Sequence, residues 1–533
     1  MSPNTINLTK GGKQMARRLS ALLCLVAAIS FVVTPAFAAV QNVKVSGDIG
    51  VSAVSRNNLD LDKTRSLHVV DDTDSRNDKQ DDFLSITRVK VDADLTDNVS
   101  TSVRLINERN WNRNAVSAAA ADIGANRNIG LNTTDEAEND NDIDIDLASV
   151  TLREFLYSPL TLTVGRQELR FGNGWIIGDP DTNGLALESD LSEGDLSMRK
   201  AFDAIRAKLD YNPLVLDLIY AKVVENNTSL NDDTTLYGIN AAYELNPETT
   251  IEGFYFAKKR SITDSAAGTS TGATNVDNGL PTNFDAITAV GATGVKQKDD
   301  VVNTVGVRAV NKSVKNLTLD GQVAYQFGTY NPKLDPNARF ISATNKALTT
   351  QRSAWGAEVV AVYDLKDVIA TWEPSLTGAY VFLSGANRDR TGEQTYKGWD
   401  SMFEDQTFGH LINAVLGFSN THLLGVSLKA KPATDVTAKL DYVTGWFVKK
   451  FVEGRQANLS GVSGAQQFTM SNKANYAHEL DATVLYDYTE DVQFSLLGGI
   501  LFGTDAINGN ESVYPYRQQA NAVELIGSMK VVF

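Results

Sequence analysis

The sequence predicts an all-β protein: a single transmembrane antiparallel β-barrel of about 18 strands, with long extracellular loops and short periplasmic turns. Three observations carry that expectation. Beyond residue 38 the apolar residues recur with period two, the spacing of a strand with one apolar face, and convincing helical spacing is missing. The links between alternating segments are short and long by turns. A secretory leader precedes them.

The leader comes first. Lys10, Lys13, Arg17 and Arg18 form a basic start, Leu19 to Val33 is almost wholly apolar, and Ala36-Phe37-Ala38 supplies small residues at cleavage-site spacing. The apolar run is shorter than the ~20 residues a spanning helix needs, which disfavours the alternative of an N-terminal anchor. Residues 1–38 are therefore expected to be cleaved, leaving residues 39–533 as one barrel domain. The only Cys, Cys24, leaves with the leader, so neither a disulfide framework nor a Cys-based zinc site is expected. The leader carries four basic residues and no acidic one, so its loss takes the formal net charge from −16 to −20. A chain this acidic is a poor nucleic-acid binder, because phosphate binding needs clustered Lys and Arg.

The strands follow. In Val43–Val54, apolar Val43, Val45, Ile49, Val51 and Ala53 alternate with Lys44, Ser46, Asp48 and Ser52. Val89, Val91, Ala93 and Leu95 alternate with Arg88, Lys90, Asp92 and Asp94; Val436, Ala438, Leu440 and Tyr442 alternate with Thr437, Lys439 and Asp441. Segments of this kind start near Val43, Asp82, Val99, Asp142, Leu160, Phe202, Leu214, Thr235, Thr250, Asp300, Leu317, Ser353, Leu376, Thr421, Val436, Asn475, Val492 and Ala522. Each is long enough for a tilted bilayer-crossing strand of ~9–11 residues.

The links separate a barrel from other alternating folds. Thr96-Asp97-Asn98, Ser158-Pro159, Asn212-Pro213, Asn246-Pro247 and Lys431-Pro432-Ala433-Thr434 carry turn chemistry. Arg260–Asp299 and Gly385–Asn420 are long and rich in Asn, Asp, Ser, Thr and Gly, and are the expected constrictions. A soluble sandwich also alternates, but it needs neither this two-sided asymmetry nor aromatics near strand ends such as Tyr157, Tyr211, Tyr243, Trp372, Tyr442 and Tyr486. The chain ends in Phe533, a terminal aromatic on the closing strand.

Two motifs stand out. The first runs Thr163-Val164-Gly165-Arg166-Gln167-Glu168-Leu169-Arg170-Phe171-Gly172 into Trp175-Ile176-Ile177-Gly178-Asp179, then Ala201-Phe202-Asp203-Ala204-Ile205-Arg206. It reads as a strand, a long loop and the partner strand. The second is Gly398-Trp399-Asp400-Ser401-Met402-Phe403, then Gly409-His410-Leu411-Ile412-Asn413. Together they resemble the alginate export family of outer-membrane barrels. The second is similar to the family's F-D-x-x-F-P…H…G…N loop, with Trp399 standing for the aromatic and no Pro after Phe403. The resemblance implies a Gram-negative outer-membrane channel that, in the namesake, exports a polyuronate through a pore lined with basic residues. It makes Arg166, Gln167, Arg170, Asp203, Arg206, Asp400, His410 and Asn413 the candidate lumen and substrate contacts. The plainer alternative for the arginines is a charge ladder that stiffens the wall.

Charge bears on the cargo. Arg88, Lys90, Arg104, Arg166, Arg206, Lys208, Lys222 and Arg308 offer a basic stripe, and Asp48, Asp92, Asp94, Asp142, Asp144, Asp146, Asp210 and Asp217 offset it. A pore concentrating a polyanion should focus positive potential, so a neutral, cationic or mixed-charge solute is at least as plausible as alginate. Asn139–Asp146 is acidic enough to suggest calcium, but it lacks EF-hand spacing, and alternate Asp residues entering the lumen explain it more simply. No metal or cofactor is expected. Neither a G-x-S-x-G elbow nor an H-E-x-x-H motif is present and His68, His410, His422 and His478 are scattered, so no enzyme activity is expected. The expected partners are outer-membrane lipid, lipopolysaccharide, a hydrophilic solute or polysaccharide, and a periplasmic export partner. The competing functional class is a barrel closed by its own loops, serving as an adhesin or a sheath for a partner protein.

Overall fold

The computed structural model describes residues 42–59, 61, 79–111, 143–180, 194–224, 233–261, 299–330, 350–386, 395–451, 453, 455–457, 468–507 and 519–533. The leader, His68, Asn139–Asp142 and most of Arg260–Asp299 lie outside them.

Eighteen strands form the wall. They are β1 (Asn42–Asn57), β2 (Lys79–Thr96), β3 (Val99–Asn110), β4 (Asp144–Leu152), β5 (Leu160–Glu168), β6 (Ala201–Asp210), β7 (Leu214–Val224), β8 (Thr234–Asn246) and β9 (Thr249–Arg260). Then follow β10 (Asp300–Asn311), β11 (Leu317–Tyr330), β12 (Thr350–Asp364), β13 (Ser375–Leu383), β14 (Thr421–Ala433), β15 (Val436–Phe447), β16 (Asn475–Asp487), β17 (Val492–Phe502) and β18 (Ala522–Val532). Each wall strand pairs antiparallel with its neighbours in sequence, for example β5 with β6 from Leu160↔Leu209 to Glu168↔Ala201. The sheet closes where β1 meets β18, from Asp48↔Val532 to Asn57↔Val523. Closure satisfies the edge groups that an open sheet leaves unpaired. At the seam Phe533 and Gly47 exchange both backbone hydrogen bonds, at 2.8 and 2.9 Å. The Phe533 ring lies where a Gly47 side chain would be, 2.6 Å from an added Cβ.

The two ends differ as the links predict. At one end no link exceeds ten residues, the longest being 365–374; at the other the longest is 261–299.

The faces differ as well. Outward positions carry exposed apolar side chains, among them Val45 at 60%, Leu525 at 54% and Val359 at 52%. Exposed aromatics Tyr157, Tyr211, Tyr243, Trp372, Tyr486 and Tyr488 gather at the short-link end, where the Tyr157 and Tyr211 hydroxyls meet at 3.0 Å. Such a continuous apolar belt exceeds what a soluble surface carries. The core lies inside the barrel, where wall residues Phe202, Phe256, Ala354 and Tyr476 pack against Trp175, Ile177, Trp399, Phe403, Leu411 and Phe418 from long links that turn inward.

Candidate functional site

Two inward segments build the site, 169–180 after β5 and 395–420 after β13. The first enters through a tight turn whose Gly172 and Gly174 have φ of 58° and 84°, the left-handed region that glycine adopts without strain. A Cβ on Gly174 would lie 2.8 Å from the Arg170 guanidinium. Between these glycines, Asn173 ties the turn to the far wall. Its Nδ2 donates to Glu358 Oε1 at 3.0 Å, and its Oδ1 accepts from Gln322 at 2.8 Å and from the Trp175 N–H at 3.2 Å. Gln322 and Gln406 also donate to the buried Glu358 carboxylate.

The second segment lies beside the first in parallel, joined by the Ile177–Phe403 bridge. Phe403 donates to the Ile176 carbonyl at 3.0 Å, Gly178 to the Phe403 carbonyl at 2.7 Å, and Asp405 to the Gly174 carbonyl at 2.8 Å. The Trp175 and Trp399 indoles stack at 5.3 Å. They fit because Gly356 on β12 leaves room: a Cβ there would meet both rings at 2.9 Å.

A buried charge cluster pins this pair of segments. Asp400 is 1% exposed. Its Oδ1 accepts from Lys258 Nζ on β9 at 2.6 Å and from the Met402 N–H at 2.9 Å, and its Oδ2 lies 3.9 Å from Arg352 Nη1 on β12. Arg352 also reaches Asp300 at 3.1 Å and lies over the Tyr330 and Tyr396 rings. Gln326 holds the Asp400 backbone from both sides, donating to its carbonyl at 2.6 Å and accepting its N–H at 2.8 Å. Burial works against an ionised Asp400, but Lys258 and Arg352 outweigh it and hold the carboxyl below its usual range.

Beyond Asp405 the second segment forms a short helix, α1 (His410–Val415). Six residues are too few to be stable alone. The Glu479 carboxylate on β16 accepts the Leu411 and Ile412 N–H groups, each at 2.7 Å. Beneath the infolded segments lies a cavity of about 670 Å³. Arg170, Glu358, Asp405, His410, Lys439, Asp441 and Asp481 are among its lining residues.

The structure places the eight sequence candidates in three settings. Arg206 and Gln167 face the lumen. Arg206 Nε bonds Asp217 at 2.7 Å, while Gln167 spends its amide on wall carbonyls, Ala204 among them at 3.0 Å. Arg170, Asp400, His410 and Asn413 lie on the infolded segments. Arg170 and Lys200 both hold Asp405. Burial keeps the His410 imidazole below its usual pKa, hence neutral at pH 7. Asn413 braces its own turn, its Nδ2 donating to the Gln406 carbonyl at 3.3 Å.

Arg166 and Asp203 correct the expectation of a lumenal position. They pair across β5 and β6 in unbroken register with Val164↔Ile205, two exposed apolar residues, so both share the outward face. Their ion pair, 3.5 Å, sits on the outside of the wall. Lys222, opposite Asp203 and two residues from exposed Tyr220, is outward too. The residues that sequence reasoning missed are Lys258, Gln322, Gln326, Arg352, Glu358 and Glu479. Their only signal was a polar side chain at an inward-facing position.

A closed 18-strand barrel with an apolar outer belt, aromatics at the short-link end and long links folded into a polar lumen defines an outer-membrane channel. The alginate export family model matches residues 62–520. The chain belongs to the alginate export family, and its place is the outer membrane of a Gram-negative bacterium, in contact with membrane lipid. Pseudomonas aeruginosa OccK8 (OprE) has a similar fold, with a TM-score of 0.50 at 9% identity over 92% of this chain and 98% of that one. The outer membrane protein opdK of the same organism gives 0.48 at 9% identity over 93% and 100%. No curated protein matches.

Proposed function

We propose that this channel passes a small hydrophilic solute, uncharged or of mixed charge, and is not built for a strongly anionic polymer such as the alginate of the family name. The observation that carries this reading is the pairing of the lumenal arginines. Arg88 meets Asp48 at 2.9 Å, Arg104 meets Asp146 at 2.5 Å, Arg206 meets Asp217 at 2.7 Å, and Arg308 meets Glu252 at 2.6 Å and Asp320 at 2.7 Å. A paired guanidinium projects little net potential along the lumen, whereas a polyanion pathway needs positive charge left uncompensated. The cavity of about 670 Å³ falls in the range of small-molecule sites.

Planar-bilayer recording tests this. Under a salt gradient the reversal potential should lie near zero or toward cation preference; clear anion preference would restore the polyuronate reading. The apolar packing around Trp175 and Trp399 also gives support to the second reading, a barrel closed by its loops that acts through a partner. A folded barrel that never produces single-channel openings would favour it.

A further inference from the structure

The wall under helix α1 holds three carboxylates close together. Glu479 and Asp481 on β16 and Glu524 on β18 are 0%, 1% and 5% exposed. One oxygen from each lies within 4.8 Å of the others. Asp481 and Glu524 stand at one height on either side of β17, both opposite Gly499. An added Cβ on Gly499 would come 2.7 Å from Asp481 Oδ1 and 3.0 Å from Glu524 Oε1. The glycine therefore leaves a hollow between strands, and these two oxygens face it. Both are buried and neither has a hydrogen-bond partner among the described residues.

The charge is unbalanced. Arg56 reaches Glu524 at 3.1 Å but shares its guanidinium with Asp195 at 2.7 Å. On the next strand Lys439 is held by Asp441 at 3.0 Å. Glu479 is stabilised by two backbone N–H groups of α1. Burying this much negative charge is strongly unfavourable unless something positive compensates it.

We propose that Glu479, Asp481 and Glu524 bind one hard divalent cation, calcium by preference, in the hollow over Gly499. The donors are all oxygen, which suits calcium and not the soft or nitrogen-preferring metals. Calcium takes six to eight oxygen ligands in flexible geometry, while magnesium demands a near-ideal octahedron. Asp481 lines the open cavity, which gives the ion a route in and water to complete its shell. Because Glu479 also holds α1, the ion would bind the wall and the infolded segment into one unit.

The test is isothermal titration of CaCl₂ into the chain refolded in detergent free of lipopolysaccharide, so that rim-bound cations do not contribute. The expected result is a single saturable site, with affinity at least tenfold weaker in Asp481→Asn and Glu524→Gln. Gly499→Ala keeps all three carboxylates but fills the hollow, and it should weaken binding similarly. Heat-dependent gel migration verifies that each variant folds, and magnesium titrated in parallel should bind at least tenfold more weakly. A folded wild-type barrel that binds no calcium at millimolar concentration overturns the proposal and leaves shared protons as the compensating charge. Calcium affinity unchanged in the folded Asp481→Asn and Glu524→Gln variants overturns it equally.

Discussion

Asp400 concentrates much of what holds the infolded segments in the lumen. It is fully buried, and two cations, Lys258 of β9 and Arg352 of β12, converge on it. Its carboxyl is held below the usual value of 3.8. A depressed carboxylate stabilises the structure above its unfolded pKa, and that stability is lost as pH falls through the folded one. The infolded arrangement should therefore persist at neutral pH and loosen only in acid, below about pH 4. Asp400→Asn leaves Lys258 buried beside a neutral amide, a break that costs about 3–5 kcal/mol in comparable buried pairs. We expect this variant to show at neutral pH the larger or noisier conductance that the wild type shows only in acid. Equal conductance of the two at pH 7 would show that Asp400 does not hold the constriction. Asp400 was legible in the sequence because it sits in a motif; Lys258 and Arg352 were not. Alternation tells which face a residue takes, but not its height in the barrel or which loop will descend to meet it. Arg166 and Asp203 show the converse error. They sit inside a recognisable motif next to lumenal Gln167 and Phe202, and one residue of offset puts a side chain on the other face.

At the scale of elements, the strands were nearly all readable. Each of the 18 wall strands begins within three residues of the start expected from alternation, from Asn42 to Ala522. Period-two patterning is imposed by lipid on one face and water on the other, so it is written locally. The infolded segments are stabilised by distant partners, and no local pattern announces them. The expected constriction at Gly385–Asn420 does enter the lumen over residues 395–420, and Arg260–Asp299 lies mostly outside the described residues. The segment 169–180, which fills the lumen with it, was expected as a loop without a fixed course. The wall closes without residues 398–418, because β13 bonds directly to β14 from Leu383↔Thr421 to Ser375↔Lys429, and Thr395 and Tyr396, which pair in parallel with Gln351 and Arg352 of β12, precede that stretch. Replacing residues 398–418 with a short Gly-Ser link should therefore leave a folded barrel. Its single-channel conductance should rise several-fold, measured beside heat-dependent gel migration. A folded deletion variant with wild-type conductance would place the constriction elsewhere.

At the scale of the whole molecule, net acidity and a row of lumenal arginines are compatible because the arginines are neutralised where they stand. Arg308 is the clearest case. It follows outward Val307 on β10, so it faces the lumen, and it bridges Glu252 on β9 to Asp320 on β11. Its guanidinium donates to both carboxylates, so three neighbouring strands carry one cation and two anions in one cluster, Glu252 level with Arg308 and Asp320 two residues along β11. If the sum of such clusters sets the field along the lumen, removing one cation unmasks two carboxylates and shifts permeation toward cations. Arg308→Gln keeps hydrogen-bonding capacity and removes the charge. The expected outcome is a reversal potential displaced toward cation selectivity, largest at low salt, where screening over roughly 10–30 Å is weakest. Displacement that vanishes at molar salt fits a charge facing the conducting path; no displacement at any salt would assign the arginine ladder to stiffening the wall alone.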